Sequence, residues 1–507
     1  MKNIRKSISL LVTCYCITTT VFAQSDVDAI RYSETSIAAT ARSLSMAGAF
    51  GALGADFSSL STNPAGIAVY KRSEFTLTPA LENRVTSTDY LGKKSVDNKY
   101  NFNMGNLGLV WAYPKENKNS GWKGFAFGIG YNRLNSFHSR SVYEGVNTEN
   151  SLLDYYKEEA KGKNYDLLPD NFPFSSDLAY ETYLIDTMPG TTDQYFTAIP
   201  DPSGGVLQRR TKETTGSKGE VVISFGANYN DKIYFGVTLG FPYLRYNENI
   251  IYEESDPDNT IEQTTPGLDS SYADYFNFKS YTLQQKVNTS GNGFNAKAGV
   301  IIRPNEWLRF GAAIHTPAFY KMHDNFSSSI EAIYENGENI PYDSPIGSYD
   351  YNLTTPLKFI GSAAFIYKQS GIFSVDYEFE DYTTAKFDAS DYAFTTENDI
   401  IRTAYTQQHN IRAGVEWKYA IFAFRGGAGY STGKLNKNVS SSSTDQHKMI
   451  YSGGIGIREE NYFVDLGYAY TQGNEFYRPY SLTNEEVQGA FSKITDHKIL
   501  LTLGFRF

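Results

Sequence analysis

Cysteine occurs only twice in the 507 residues, as Cys14 and Cys16, and both lie in the first two dozen positions. The rest of the chain can form no disulfide, so it is not one of the disulfide-stapled secreted domains. Histidine (6), methionine (6) and tryptophan (4) are scarce, and no Cys–His cluster or H-E-x-x-H occurs. The sequence therefore offers no metal site and implies no cofactor. No G-x-S-x-G is present either, and no Ser/His/acid constellation can be assembled, so an enzyme is not expected. Basic excess is absent: 46 Lys and Arg stand against 56 Asp and Glu, which excludes a nucleic-acid partner. Beyond the N-terminus there is no long apolar run, and the mean hydropathy of −0.42 excludes a helical membrane protein. What is abundant is Tyr (40) and Phe (33), the composition of a large aromatic β protein.

The one apolar run is an address. Lys2, Arg5 and Lys6 precede the mostly apolar Ile8–Phe22, and Val21-Phe22-Ala23 is a small-residue cleavage site before Gln24. Residues 1–23 thus read as a secretory signal peptide, cut between Ala23 and Gln24. Cleavage removes three cations, leaving 43 basic against 56 acidic residues, and it removes both cysteines.

From Ser73 onward the pattern has period two. Ile233, Phe235, Val237, Leu239 and Phe241 alternate with Tyr234, Gly236, Thr238 and Gly240. Ile411, Ala413, Val415 and Trp417 alternate with residues that include Arg412 and Glu416. Ile499, Leu501, Leu503, Phe505 and Phe507 share one face of the last stretch. Alternation alone fits a half-buried soluble strand. Three features point instead to a transmembrane barrel. The stretches run about 10 to 20 residues, against ~5–6 in globular sheets. The polar face carries full charges, which suit a wet lumen. The chain ends on an aromatic residue closing an alternating strand, as a substrate of the barrel-assembly machinery would through Phe507. Exported strands of this kind must close on themselves, since lipid satisfies no backbone group.

The connections sort into short turns (114–121, Asn230-Asp231, 303–306, 369–371, 418–420 and 459–461) and long polar loops. The loops fall at about 86–99, 136–217, 253–271, 335–348, 388–403, 434–446 and 472–494, and face outside. Counting 272–289 and 292–303 as two strands gives fifteen. Both barrel ends belong in the periplasm, which requires an even number, so one strand bent at Gly291–Gly293 restores fourteen. The expected fold is all-β: a transmembrane antiparallel β-barrel of about 14 strands over 73–507, preceded by a hatch over 24–72. That segment is rich in small residues and uncharged from Leu44 to Ala55, which suits a plug inside the lumen. Gly48, Gly51 and Gly54 superficially match a phosphate loop, but the Lys-Ser/Thr ending is missing and close packing in the plug is the better reading.

Arg42 to Phe50 (RSLSMAGAF), followed by Asp56 and then Asn63-Pro64-Ala65-Gly66, resembles the hatch signature of the long-chain fatty acid transporter family of outer-membrane proteins. Weaker echoes run through 302–311, 424–430 and 496–507. The resemblance implies a monomeric plugged barrel in outer-membrane lipid that takes up long-chain fatty acids or other hydrophobic small molecules. In this scheme the ligand is captured outside and passed to an internal pocket; the hatch then shifts and the ligand leaves sideways through the wall. Asn63, Pro64, Ala65 and Gly66 would form a rigid hatch turn. The glycine-rich third strand corresponds in order to the family's kinked strand, which makes Gly128 and Gly130 the candidate kink of the lateral gate. The family meets a carboxylate with basic side chains, and Arg245, Arg412 and Arg425 are the lumen candidates here. The strongly polar 136–217 loop departs from a greasy capture groove. It keeps open a non-transport role, as a secretion-system barrel or binding scaffold, and His315 and His323 keep open a haemin receptor.

Overall fold

The computed structural model describes residues 25–37, 40–115, 121–256, 277–368, 370–436 and 446–507. The predicted cleavage site at Ala23–Gln24, most of the 253–271 and 434–446 loops and the tip of the 114–121 turn lie outside them.

Fourteen strands close into one antiparallel barrel. They are β1 (Glu74–Tyr90), β2 (Lys93–Pro114), β3 (Trp122–Ser136, continuing as Ser139–Asn147), β4 (Val206–Tyr229), β5 (Ile233–Ser255) and β6 (Phe278–Ile302). Next come β7 (Leu308–His315, continuing as Phe319–Tyr334), β8 (Gly347–Thr354, continuing as Lys358–Tyr367), β9 (Gly371–Asp381) and β10 (Gln407–Tyr419). β11 (Phe422–Ser431), β12 (Lys448–Arg458), β13 (Tyr462–Tyr477) and β14 (Ala490–Arg506) complete the wall. The last pairs with the first from Glu74↔Arg506 to Asp89↔Phe491. The stretch around Gly291–Gly293 is a single strand, as the parity of the barrel requires. Pro317 and Pro356 sit at the interruptions of β7 and β8, where a missing N–H costs no ladder bond.

The period-two pattern becomes an outward apolar band and a polar lumen. On β5, Phe235, Val237, Leu239 and Phe241 are exposed to the surroundings while Tyr234 and Thr238 are buried inside. Closed from β14 onto β1 and apolar on its outer face, this is an outer-membrane β-barrel.

Several strands project well past that band, which corrects two loop expectations. Residues 86–99 are not a loop: β1 and β2 stay paired up to Tyr90↔Lys93 around a turn at Leu91-Gly92, whose positive φ angles close it tightly. The alternation persists there, but both faces are polar because neither meets lipid, so periodicity alone does not mark the strand. Likewise the region between β3 and β4 narrows to 148–205, and it is folded. Helix α4 (Leu152–Ala160), the helix Ser176–Glu181 and the projecting ends of β5, β6 and β7 share a core that includes Leu153, Tyr156, Leu178, Phe278, Tyr281 and Tyr334. Tyr480, Leu482 and Val487 join it from the β13–β14 connection. These elements make a cap over the extracellular mouth.

Inside the barrel lie α1 (Asp26–Ser33), α2 (Ala41–Ser45), α3 (Ser59–Thr62) and the 3-10 helix Pro64–Val69. α1 stands in the upper lumen, where Tyr32 packs on Phe137 and Tyr246. The rest forms a floor pinned by a buried charge network. Arg42 of α2 meets Glu416 through Nε at 2.8 Å and Nη2 at 3.0 Å. Arg425 bridges Glu416 (2.6 Å) and Asp465 (2.8 Å), and Arg458 reaches the other oxygen of Asp465 at 2.8 Å. Glu416 thus neutralises two buried guanidinium groups, one on the plug and one on the wall. Glu416→Ala, which strands both, is expected to lower unfolding stability by about 3–5 kcal/mol; a urea titration read by heat-modifiable mobility checks this, and an unchanged midpoint would show that the network does not hold the plug.

Candidate functional site: the plug, the cavity and a slot in the wall

The plug fits the wall because the wall is cut back to receive it. A methyl group at Gly226, Gly236, Gly299, Gly311, Gly427 or Gly467 would fall within 2.6 Å of plug atoms. These glycines belong to six different strands, so plug backbone lies flush against much of the circumference. The remaining strands offer polar ties. Asp376 Oδ2 accepts from Phe50 N–H (3.0 Å) and Gly51 N–H (2.8 Å), and Ala41 N–H donates to Thr502 Oγ1 at 2.7 Å.

The Asn63-Pro64-Ala65-Gly66 turn sits at the centre of this seat. Asn63 Oδ1 accepts from Ala65 N–H at 3.1 Å, capping the 3-10 helix that Pro64 begins. Its Nδ2 donates to Gly51 O (2.6 Å) and to Val300 O on the wall (3.2 Å). Gly54 and Gly66 pack backbone to backbone, and Gly54 (φ +70°) and Gly48 (φ +76°) adopt a left-handed conformation that favours glycine. Gly51 packs on Ser362 of β8.

Above this floor and below the cap is a cavity of about 700 Å³. α1 borders it through Ile30, Arg31 and Ser33, and its wall carries many charges. Nearly all of these are matched: Arg84 by Asp496 (Nη2–Oδ2 3.1 Å), Lys358 by Glu378 and Glu380 (3.1 and 3.0 Å), Arg412 by Glu378. Lys218 donates instead to the carbonyls of Tyr32 (2.7 Å) and Ser33 (3.2 Å) at the end of α1. Of the three arginines expected to meet a headgroup, Arg412 lines the cavity but is held by Glu378. Arg425 is locked in the floor network, and Arg245 stands on the exposed face of β5 between inward Leu244 and Tyr246.

Arg210 is different, and nothing local in the sequence marks it. It lines the upper cavity with only 6% exposure, its guanidinium 4.1 Å above the Tyr477 ring. No carboxylate pairs with it among the described residues, and the buried hydroxyl of its ladder neighbour Tyr143 also lacks a partner.

The wall opens beside this cavity. β2 and β3 pair from Pro114↔Gly124 to Asn106↔Asn132 and then part. β3 stays with β4 up to Ser136↔Ser217, while β2 continues with β1 alone to Lys93. The break begins inside the apolar band, because outward Met104 (39% exposed) and Phe102 (77%) lie above it. Lys99 and Asn101 on one side of the slot, and Leu134, Asn135 and Ser136 on the other, also line the cavity. Asparagines edge the slot: Asn101 Nδ2 reaches Ser136 Oγ at 3.3 Å, and both amide atoms of Asn103 are buried without a partner.

At the foot of the slot the plug is tied to both strands. Asn106 Nδ2 donates to Asn132 Oδ1 (2.8 Å), and Asn132 Nδ2 donates to Ser61 Oγ of α3 (2.8 Å). Phe57 lies against Gly108 of β2 and Gly130 of β3, and Leu60 and Ile67 lie against Gly128. Gly128 and Gly130 are therefore in the last paired stretch below the slot, seating the plug. His315 and His323 do not converge. His315 faces inward, its Nε2 at 2.8 Å from Thr62 O, whereas His323 faces outward and meets Asp350 at 2.8 Å.

A closed barrel with a sealed floor, a capped cavity and an opening in its side defines a plugged outer-membrane barrel. No family model matches the chain, and no curated protein matches it in sequence. In fold it is similar to the P. putida toluene transporter TodX, at 14% identity over 92% of this chain and 98% of that one, with a TM-score of 0.52. A Pseudomonas aeruginosa FadL homologue (12%, 93% and 98%, TM-score 0.51) and the Ralstonia pickettii toluene transporter TbuX (13%, 94% and 100%, TM-score 0.50) share it.

Asn132→Ala removes the tie between Ser61 of α3 and β3, a loss of about 1–3 kcal/mol locally. Hydrogen exchange at Phe57–Ser61 should quicken by about tenfold; unaltered exchange would mean that the Asn132–Ser61 bond does not hold the plug there.

Proposed function

We propose that this protein is a passive transporter that takes up an amphiphilic small molecule, holds it in the capped cavity and releases it sideways through the β2–β3 slot into the outer leaflet. The observation that carries this reading is the slot itself: the wall ladder ends inside the lipid-facing band, beside the cavity, while the floor is seated on strands all around the barrel. A route through the floor would have to break the Arg42–Glu416 pair and the glycine seat together. A route through the slot has to part side-chain contacts, Asn101–Ser136 and the Lys99–Glu213 ion pair, and no backbone ladder. It also spares the ligand a return to water, which costs about 0.8 kcal/mol per methylene, on the order of 10 kcal/mol for a dozen.

The similar structures are titled as toluene transporters and a FadL homologue, which supports hydrophobic cargo in general. Arg210 narrows the class. A buried guanidinium that no carboxylate pairs among the described residues favours a ligand that brings its own negative charge, such as a long-chain carboxylate, over a neutral hydrocarbon. The amide-lined slot suits the same molecule, with its head among the asparagines and its tail already in lipid.

Two measurements test this. Asn101→Cys combined with Ser136→Cys places a disulfide across the slot in a mature chain otherwise free of cysteine. Uptake of a labelled fatty acid should stop and return on reduction, and uptake that continues in the oxidised protein would rule out the lateral route. Separately, Arg210→Leu should weaken fatty-acid retention by about tenfold or more while leaving toluene retention within twofold; an equal loss for both would remove the anionic class.

A further inference from the structure

The outward surface carries a motif that repeats on three successive strand pairs, away from the β2–β3 slot. Tyr377 of β9, Tyr430 of β11 and Tyr468 of β13 all point outward, with near-equal exposures of 43%, 41% and 43%. Each lies opposite an aliphatic residue on the next strand: Ile411, Met449 and Ile499 respectively. Two residues further toward the extracellular end of that next strand stands a histidine: His409, His447 and His497. The diagonal geometry is the same each time. Ring centroids are 6.0, 5.7 and 6.2 Å apart, with interplanar angles of 24°, 26° and 32°.

Two of the phenols are hydrogen-bonded to their histidines, Tyr377 to His409 Nδ1 at 2.7 Å and Tyr468 to His497 Nδ1 at 2.8 Å. With the phenol donating, the imidazole carries its proton on Nε2 and presents it beyond the ring pair. Below each histidine the outward positions are apolar: Ile411 and Val415 on β10, Tyr451 and Ile455 on β12, Ile499 and Leu501 on β14. Each imidazole therefore stands where hydrocarbon gives way to headgroups.

We propose that these three Tyr–His pairs form a docking row for phosphate-bearing lipid headgroups of the outer leaflet. The row is continuous with the band that already faces lipid, so lipid is the occupant the surface meets at that depth. An aromatic girdle needs no N–H donor, whereas phosphate oxygens are strong acceptors for one. Strands lie about 4.8 Å apart, so a motif repeating every second strand sets its sites about 10 Å apart. A diphosphorylated disaccharide headgroup can span two of them.

The test uses the full-length protein in detergent, with bound lipid counted by native mass spectrometry. The probes are a diphosphorylated disaccharide glycolipid, its dephosphorylated form and inorganic phosphate. His409→Phe, His447→Phe and His497→Phe together keep the stacked rings and remove the N–H groups. Retention of the phosphorylated lipid should fall about tenfold, to the level at which the wild type holds the dephosphorylated lipid. Gln at the three positions, which keeps a donor, should recover most of it. Equal retention by wild type and the Phe variant, or no discrimination between the two lipids, would overturn the proposal and leave a plain aromatic belt. Saturation by inorganic phosphate alone would equally overturn it in favour of a free-anion site. Heat-modifiable mobility verifies folding; if the triple Phe variant does not fold, the His409→Phe/His497→Phe pair gives the same comparison.

Discussion

Backbone hydrogen bonding in a medium that offers no partners is the constraint from which the rest of this molecule follows. It forces β14 back onto β1 and fixes an even strand number. It also makes every residue choose between lumen and lipid with a period of two. Against that constraint, a strand edge left open within the apolar band stands out. β2 above Asn106 keeps its ladder with β1 and has no ladder partner on the other side among the described residues, where the upper part of β3 lies beside it through the Lys93–Glu144 and Arg140–Asp97 ion pairs. At the level where the ladder stops, asparagine amides take up the pairing that backbone no longer supplies.

The plug answers a second demand, that a barrel of this width not be an open hole. Two kinds of contact achieve this, and they differ in kind. The glycine seat is steric and close to circumferential, so it resists displacement of the plug as a body. The Arg42–Glu416–Arg425–Asp465 network is electrostatic and local, and its energy depends on all members being present, because each charge is buried. Beside the slot the ties are the Ser61 hydroxyl, the Phe57, Leu60 and Ile67 side chains, and Ser36, whose N–H and hydroxyl both donate to Leu134 O.

Much of this was legible in the sequence and some was not, for physical reasons. Alternation over Ile233–Phe241 and Ile411–Trp417 exposes the lipid face because lipid tolerates no polar residue there. Parity settled the reading of 278–302 as one strand. The projecting parts of β1 and β2 were hidden because water accepts polar residues on both faces, so the alternating signal vanishes where the membrane ends. Sites joined by register are invisible in the same way. Asn106 and Asn132, or Tyr377 and His409, 32 residues apart, meet only once the shear of the barrel is set. Arg210 looks like any strand arginine until its place over the Tyr477 ring, with no carboxylate in ion-pair reach among the described residues, becomes visible in three dimensions.

The seating of the plug also has a consequence for assembly. It lies against glycines on strands from β4 to β13, closer than any methyl group allows. So close a fit forms most directly when the N-terminal segment is in the lumen before β14 zips onto β1. The N-terminal segment then serves as a mandrel on which the sheet is wound, and chain order doubles as building order.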